Sequence, residues 1–320
     1  MTRRSIPPRR RRTPAAPSAG YFDLQVNGFA GVDFQQENLT ARDLAKAVTA
    51  LHAHGTKRIL LTLITDSIDR LCAKLANLET ILQKQPVLAE TVVGYHLEGP
   101  YLLPEPGYSG AHDPRWMHAP SSWAFDRLWQ AARGRIRLMT LAPEWPGSPR
   151  FIRQLVRKGV RVAIGHSNAG AHDLDAAIDA GLSLSTHLGN GVPLQLDRHD
   201  NVIQRVLARD ELFAAFIPDG IHLPPHVLRN FVRAKPRDKI LFTTDCMAAA
   251  GAPPGRYRLG PLLTVAGADG IVRQPGEKRY FAGSSLTMDA AAANVITMTG
   301  LTPSQSLAAC STRVAAYLGF

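Results

Sequence analysis

Three metal-ligating side chains each follow a short apolar run in this sequence. They are Glu98, His166 and His187. One carboxylate and two imidazoles suit a catalytic zinc site, where three protein ligands leave a fourth position open for water. Iron, cobalt or manganese can use the same ligands, because site affinity alone does not select the metal. One such histidine alone would favour a packed core residue, but the three groups together predict one divalent metal ion per subunit, with zinc favoured.

A further carboxylate, Asp245, also ends an apolar run. Hydrolysis at such a site needs a base that takes a proton from the attacking water and returns it to the leaving amine. We predict that role for Asp245, and the alternative is a carboxylate that caps the following turn. His52 and His54 form an H-x-H pair at the end of a predicted helix, where side chains two positions apart diverge. We therefore predict structural roles for both.

Alternating strands and helices must position these groups. Continuous apolar runs are typical of parallel strands buried on both faces. The sequence predicts eight strands, namely Tyr21 to Val26, Arg58 to Leu63, Val92 to Leu97, Ile136 to Leu141, Arg161 to Ile164, Leu182 to Thr186, Leu212 to Ile217 and Lys239 to Thr243. Eight such units predict an α/β fold, the (β/α)8 TIM barrel, whose active site lies at the C-terminal ends of the strands.

Helix signals lie between these strands. The clearest is the segment that Thr40 can cap and Gly55 can end. Other helices are predicted for Ser67 to Leu82, Ser148 to Lys158, Ala171 to Ala180, Pro224 to Ala234, Thr287 to Met298 and Pro303 to Leu318. Gly, Pro and short alternating runs predict a β-hairpin excursion near residues 251–280. The barrel is expected to occupy residues 21–320.

The net charge of +11 is concentrated in residues 1–20, where six arginines stand with no acidic residue. Without that tail the chain has 31 basic and 26 acidic residues. We expect a disordered, solvated tail rather than an arm that binds nucleic acid or another polyanion. Three widely spaced cysteines without C-x-x-C spacing suggest a reducing cytoplasm. No apolar stretch reaches the roughly 18 residues of a membrane span.

The order of several motifs resembles the amidohydrolase superfamily, and more closely the N-acetylglucosamine-6-phosphate deacetylases. The matching segments are Phe22 to Gly28, His96 to Pro100, Gly110 to His112, Gly165 to Ala169, Thr186 to Leu188, Asp219 to His222, Thr244 to Asp245 and Ala282 to Ser284. The match covers about residues 21 to 320. The combination is far more specific than any one motif.

This resemblance implies roles for residues that spacing alone does not reveal. It implies Glu98, His166 and His187 as metal ligands and Asp245 as general acid and base. It also implies that His112 helps the metal to polarise the amide carbonyl, since an imidazole can donate to a developing oxyanion. Most amidohydrolases hold a second metal through an H-x-H pair after strand one. This chain has Gln25-Val26-Asn27 there, so the resemblance is to the mononuclear members.

Substrate recognition is likewise implied by the resemblance. Arg198, reaching across a homodimer interface, and His222 would contact the sugar phosphate, and a guanidinium fork suits phosphate geometry. A solvated loop charge is the alternative for Arg198. Asn190 and Gly191 would lie beside the phosphate or the sugar hydroxyls. The family flanks its barrel with a small β-sandwich, most of which we expect this chain to lack.

The sequence thus predicts an amide hydrolase that converts N-acetylglucosamine 6-phosphate to glucosamine 6-phosphate and acetate. One alternative is deacylation of another acetamido sugar or N-acyl compound. Another is a non-catalytic metal-binding homologue, which retention of all five chemical groups disfavours. A third is a polyanion-binding protein that uses the tail.

Overall fold

The eight predicted strands form one parallel sheet in the computed structural model, which describes residues 20–277 and 280–320. Neighbours in the sheet follow chain order. The strands are β1 (Tyr21–Val26), β2 (Thr56–Ile64), β3 (Val92–Glu98), β4 (Ile136–Leu141), β5 (Arg161–Ile164), β6 (Leu184–Ser185), β7 (Phe213–Phe216) and β8 (Ile240–Phe242). Except for Gly20, the predicted tail lies outside the described residues and stays a prediction.

The sheet closes where its last strand meets its first. Val26 and Cys246 form a parallel bridge, and the Asn27 N–H donates to the Cys246 carbonyl at 2.8 Å. Buried Asp23 of β1 accepts hydrogen bonds from both Thr243 and Thr244. These contacts nearly close the barrel, so the predicted fold class is confirmed.

Helices follow the strands and cover the barrel. Thr40 caps the first helix, since its Oγ1 accepts from the Asp43 N–H at 3.1 Å, as predicted. The α-helices span Ala41–Ala53, Ile68–Lys84, Pro86–Thr91, Ser122–Ala131, Ser148–Arg157, Ala171–Asp179, Val202–Leu207, Pro225–Ala234, Met288–Thr299, Pro303–Ala309 and Thr312–Leu318. Single turns of 3-10 helix lie at Pro114–Trp116 and Arg237–Lys239. Within the described part of the chain, no helix is both long and apolar enough to cross a membrane.

The last predicted helix differs from the observed structure. Instead of one helix from Pro303 to Leu318, the chain forms two, with a break at Cys310 and Ser311. The Cys310 carbonyl accepts from the Phe22 N–H at 3.0 Å, and Ser311 Oγ donates to the Gly20 carbonyl at 2.6 Å. Because the Cys310 carbonyl is bound to β1, it is not available to accept the Val314 N–H as a continuous helix would require.

Two small antiparallel sheets accompany the barrel. Gly28–Phe29 pairs with Val32–Asp33, and after β8 a three-stranded sheet is formed by Gly255–Leu259, Leu262–Ala266 and Val272–Arg273. The second sheet lies within the segment where the sequence predicts a hairpin. Its Leu259 and Val272 pack against Ile64 of β2 and Met247 after β8. This packing places the hairpin beside the C-terminal ends of the strands.

Candidate active site and metal centre

Four of the predicted residues lie where barrel strands end. Glu98 is the last residue of β3, and His166, His187 and Asp245 follow β5, β6 and β8 within three residues. The latter three have positive φ, at 53°, 26° and 49° respectively. His and Asp are among the non-glycine residues that adopt this left-handed region most often. Each such residue still costs about 1–3 kcal/mol and is typical of functional sites.

Glu98, His166 and His187 converge into one buried cluster. One ligand atom from each lies within 4.8 Å of the others. Glu98 Oε1 is 2.8 Å from His187 Nε2 and 3.3 Å from His166 Nε2. This donor set, one carboxylate oxygen and two imidazole nitrogens, is the one that catalytic zinc sites use.

The hydrogen bonds around the two imidazoles fit a bound cation. His166 Nδ1 donates to the Tyr108 carbonyl at 2.7 Å, which leaves the Nε2 lone pair facing Glu98. Among the described residues, the buried His166 Nε2 has no hydrogen-bond partner. Buried polar atoms are almost always paired, and a backbone carbonyl that orients a histidine is a common partner in metal sites. The residues present therefore fit a divalent metal ion.

The charges in this cluster depend on each other. Burial raises the pKa of Glu98, but its contacts with His166 and His187 outweigh that effect and hold the pKa well below its usual range. Burial lowers the pKa of His187, while the hydrogen bond to Glu98 and the charge of that carboxylate raise it, with a net rise. Glu98 is thus available as a carboxylate ligand.

His112 lies beside the metal cluster in a fixed orientation. Its Nε2 is 3.6 Å from Glu98 Oε2, and its Nδ1 accepts the Thr65 backbone N–H at 3.3 Å. With Nδ1 as an acceptor, the neutral ring carries its proton on Nε2, which points into the site. Burial and the nearby His166 lower the pKa of His112 to about 3, so the ring is neutral. His112 can therefore donate a hydrogen bond to an oxygen bound there.

Asp245 is held in the cavity by the side-chain amide of Asn27. Asn27 Nδ2 donates to Asp245 Oδ1 at 2.8 Å, and both side chains line the same cavity as the metal cluster. Burial and the charge of Glu98 raise the pKa of Asp245 to about 7, against the lowering effects of His187, His222 and Asn27. A base is most effective when its pKa is close to the working pH.

Three of the predicted substrate contacts line this cavity. Asn190 Nδ2 donates to the His187 carbonyl at 3.0 Å, and His222 Nδ1 is 2.6 Å from Asp219 Oδ2. Gly191 has φ +64°, and a Cβ there would lie 2.8 Å from His166 Nδ1. The loop can approach the candidate ligand only because position 191 has no side chain.

Arg198 is not brought to the cavity of its own chain. It is exposed on the loop between β6 and the following helix, outside the described residues that line the cavity. His52 and His54 are also away from the site, where they contact Thr91 and Asp289. Their predicted structural roles agree with these contacts.

The structure also adds residues that the sequence analysis missed. Thr65 and Tyr108 orient His112 and His166, and Ile64, Leu259 and Phe281 line the cavity. Ile64 and Thr65 stand at the end of β2, so the rule that strand ends carry the site could have identified them. Leu259 and Phe281 lie in or after the hairpin, where the sequence pattern gives no such signal.

Comparison with known proteins places this site in a family. No family model matches the chain. The N-acetylgalactosamine-6-phosphate deacetylase of Escherichia coli O157:H7 is 32% identical over 302 residues, which cover 93% of this chain and 77% of that protein. The N-acetylglucosamine-6-phosphate deacetylase of Bos taurus is 31% identical over 314 residues, with 94% and 74% covered.

Solved structures agree with these relatives. A mutant N-acetyl-D-glucosamine-6-phosphate deacetylase of Mycobacterium smegmatis, in complex with N-acetyl-D-glucosamine-6-phosphate, is 30% identical with a TM-score of 0.86 and covers 94% of this chain and 77% of that chain. The Pasteurella multocida enzyme has a TM-score of 0.83 at 29% identity, with 94% and 76% covered. Fold and site define a barrel hydrolase of the metal-dependent amidohydrolase type. The chain belongs to the N-acetylglucosamine-6-phosphate deacetylase family, which confirms the resemblance seen in the sequence.

Proposed function

We propose that this protein removes the acetyl group from the nitrogen of N-acetylglucosamine 6-phosphate and releases glucosamine 6-phosphate and acetate. The observation that carries the proposal is the placement of His112 and Asp245 in one cavity with the Glu98, His166 and His187 cluster. An amide hydrolase needs two groups in the same site: one that polarises the carbonyl and one that takes a proton from the attacking water. The relatives are named for an acetamido sugar phosphate, and we propose the same substrate for this chain.

The residues of the cavity would each carry out one part of the reaction. A divalent ion held by the cluster would supply Lewis acidity and lower the pKa of a water molecule. His112 Nε2–H donates to the carbonyl oxygen and stabilises the negative charge that develops there. Asp245 takes the proton from the attacking water, is held in place by Asn27, and passes the proton to the leaving amine. The amine then departs as the carbon–nitrogen bond breaks.

We propose one zinc ion per subunit. Gln25 and Asn27 carry amides at the strand-one positions where most amidohydrolases have an H-x-H pair, and an amide is a poorer metal ligand than an imidazole, which supports a single ion. Gln25 Oε1 accepts from Thr186 Oγ1 at 2.7 Å, and Asn27 donates to Asp245. The nitrogen and oxygen donors of the cluster suit zinc, while iron, cobalt and manganese use similar ligands.

We also propose that the enzyme acts as a homodimer in the cytoplasm. Arg198 is exposed and does not line the described cavity of its own chain. A second copy could bring this guanidinium to the phosphate beside His222, as the family resemblance implies. The free cysteines, of which Cys246 and Cys310 are buried, are compatible with a reducing compartment.

Acetate release by the purified protein tests the proposed reaction. We expect turnover of N-acetylglucosamine 6-phosphate and a kcat/KM at least about 100-fold lower for unphosphorylated N-acetylglucosamine, because charged hydrogen bonds to phosphate are lost. Equal activity on the free sugar would favour another acetamido substrate. Absence of turnover on any acetamido sugar by metal-loaded protein would favour a non-catalytic metal-binding homologue.

The 4-epimer of the sugar is a second candidate substrate. It is favoured by the relative from Escherichia coli O157:H7, which is named as an N-acetylgalactosamine-6-phosphate deacetylase. Both sugars carry the same acetamide and phosphate groups, so the metal cluster, His112 and Asp245 would serve either one. The ratio of kcat/KM for the two phosphorylated epimers decides between them.

Replacing Arg198 by alanine should weaken binding of the phosphorylated substrate. We expect KM to rise about 10- to 100-fold with little change in kcat, since one charge-assisted contact is worth about 1.5–3 kcal/mol. Arg153→Ala, an exposed arginine on the helix Ser148–Arg157, is the matched control and should leave KM unchanged. An unchanged KM in Arg198→Ala would contradict the phosphate assignment.

A mixing experiment shows whether Arg198 acts across the dimer. A His187→Ala chain lacks a candidate metal ligand, but it could still lend its own Arg198 to the metal-containing site of its partner. Mixed with Arg198→Ala chains in equal amounts, it should restore wild-type KM at about one quarter of all sites, because half the dimers are hybrids with one complete site each. No recovery on mixing would place Arg198 outside the partner's site.

A further inference from the structure

One wall of the cavity is apolar and lies beside the carbonyl-polarising group. Ile64, at the end of β2, stands in register with Glu98 on the neighbouring strand β3. The next residue, Thr65, holds His112 through its backbone N–H and lies 3.0 Å from His112 Nδ1 through Oγ1. Ile64 is therefore next to Glu98 of the metal cluster and next to the residue that holds His112. Leu259 of the hairpin lines the same cavity.

This wall is well supported from behind. Ile64 and Leu259 are only 7% and 3% exposed, and they belong to one packed cluster with Met247, Ala248 and Val272. Ala111, which precedes His112, packs against that cluster and also lines the cavity. A wall of this kind resists deformation, because protein interiors are close-packed.

Two hydrogen bonds fix the backbone on both sides of the wall. The Ile64 N–H donates to Gln35 Oε1 at 3.0 Å. Gly260, directly after Leu259, donates its N–H to Asp33 Oδ2 at 2.9 Å. The hairpin residue is thus tied to the segment after β1, and Leu259 cannot withdraw from the cavity without breaking this tie.

We infer that Ile64 and Leu259 form the acyl pocket of the enzyme and restrict it to the acetyl group. The inference rests on the proposed function, because it assumes an amide carbonyl beside His112. The carbonyl carbon carries an oxygen, the sugar nitrogen and the methyl group. With the oxygen at His112 Nε2 and the sugar among the polar groups Asn190 and His222, the methyl group is left to face the apolar wall. A longer acyl chain would collide with it.

The preference for acetyl should be measurable because overpacking a rigid apolar site is unfavourable. One methylene in a hydrophobic pocket changes kcat/KM by about 10- to 200-fold. Wild-type enzyme should therefore prefer N-acetyl- over N-propionyl-glucosamine 6-phosphate by at least about 10-fold, and over the N-butyryl compound by at least about 100-fold. Leu259→Ala and Ile64→Ala should each reduce the acetyl-to-butyryl ratio by about 10-fold or more.

The readout is the ratio of kcat/KM between the three substrates, measured within each variant. Partial loss of folded protein lowers all three values equally and so leaves the ratio unchanged. Leu194→Ala is the matched control, since Leu194 also lines the cavity but is 60% exposed and lies outside the wall cluster. The acetyl-to-butyryl ratio of Leu194→Ala should equal that of the wild type. Leu259→Val and Ile64→Val, which remove one methylene each, should move the ratio in the same direction if the alanine variants do not fold.

Three outcomes would overturn the inference. The first is a wild-type enzyme that releases acetate and butyrate at comparable kcat/KM. The second is an acetyl-to-butyryl ratio in active variants of Ile64 and Leu259 that stays within about threefold of the wild type, well below the effect of one methylene. The third is a wild-type protein that releases no acyl group, which overturns the proposed function and the acyl pocket with it. The first two outcomes leave the proposed deacetylation intact.

Discussion

Replacing Asp245 with asparagine should lower kcat on the order of 10³-fold while the metal content stays unchanged. The two side chains have nearly the same shape, and the introduced amide would keep an oxygen that accepts the hydrogen bond from Asn27 Nδ2. Asparagine also tolerates the positive φ of 49° at this position. The variant therefore loses proton transfer and little else.

Asp175→Asn is the matched control for this substitution. Asp175 on the helix Ala171–Asp179 is exposed and pairs with Arg209, which follows the helix Val202–Leu207, so its loss should cost at most about 1 kcal/mol of stability and leave kcat unchanged. If Asp245→Asn retained more than about a tenth of wild-type kcat, far above the loss expected without a general base, Asp245 would not be the base. If the variant lost its metal together with its activity, Asp245 would be a ligand instead.

Removing the metal with a chelator should abolish turnover and lower thermal stability together. Turnover should fall at least about 10³-fold, because several kcal/mol of charge stabilisation are lost and His112 alone polarises the carbonyl. A ligand that binds only the folded chain at 1,000 times its Kd stabilises that chain by about 4 kcal/mol, so the unfolding midpoint should rise when metal is restored. Reloading separately with zinc, iron, cobalt or manganese shows which ions support catalysis.

Metal analysis of two histidine variants makes this test specific. His187→Ala should lose the ion and the stabilisation, whereas His172→Ala, whose side chain is 98% exposed, should bind one ion per chain like the wild type. Full activity of a metal-free sample would contradict the metal site. Two tightly bound ions per chain would contradict the single site inferred from Gln25 and Asn27.

The sequence predicts strand positions well and strand lengths less well. β4 and β5 have the predicted bounds, but β6 is shorter than Leu182 to Thr186 and covers only Leu184–Ser185. Leu182 is nonetheless buried, at 2% exposure. An apolar run reports burial, whereas a strand requires backbone pairing, and the Leu182 N–H donates to the Ala177 carbonyl of the preceding helix instead of a neighbouring strand. At the start of β7, the Leu212 N–H likewise donates to the Arg209 carbonyl of the preceding turn.

The candidate site could also be predicted only in part from the sequence. Groups at strand ends, such as Glu98 and Asp245, follow from the barrel itself, because its geometry brings the ends of distant strands together. His112 lies in an irregular loop after β3, so no periodicity points to it and only the family resemblance did. The packed cluster that contains Ile64 and Leu259 joins residues far apart in the sequence. Such a contact depends on how the hairpin docks, which local patterns do not encode.

The left-handed backbone at His166, His187 and Asp245 has a consequence for laboratory evolution. Glycine, which has no Cβ, adopts this conformation without strain, so glycine at any of these positions would relieve about 1–3 kcal/mol. It would also delete a candidate ligand or the candidate base. At His166 and His187 the lost metal stabilisation of about 4 kcal/mol outweighs this relief, so a selection for heat resistance alone would favour inactive variants only at Asp245. Screens for a more thermostable enzyme must therefore measure acetate release in the same round.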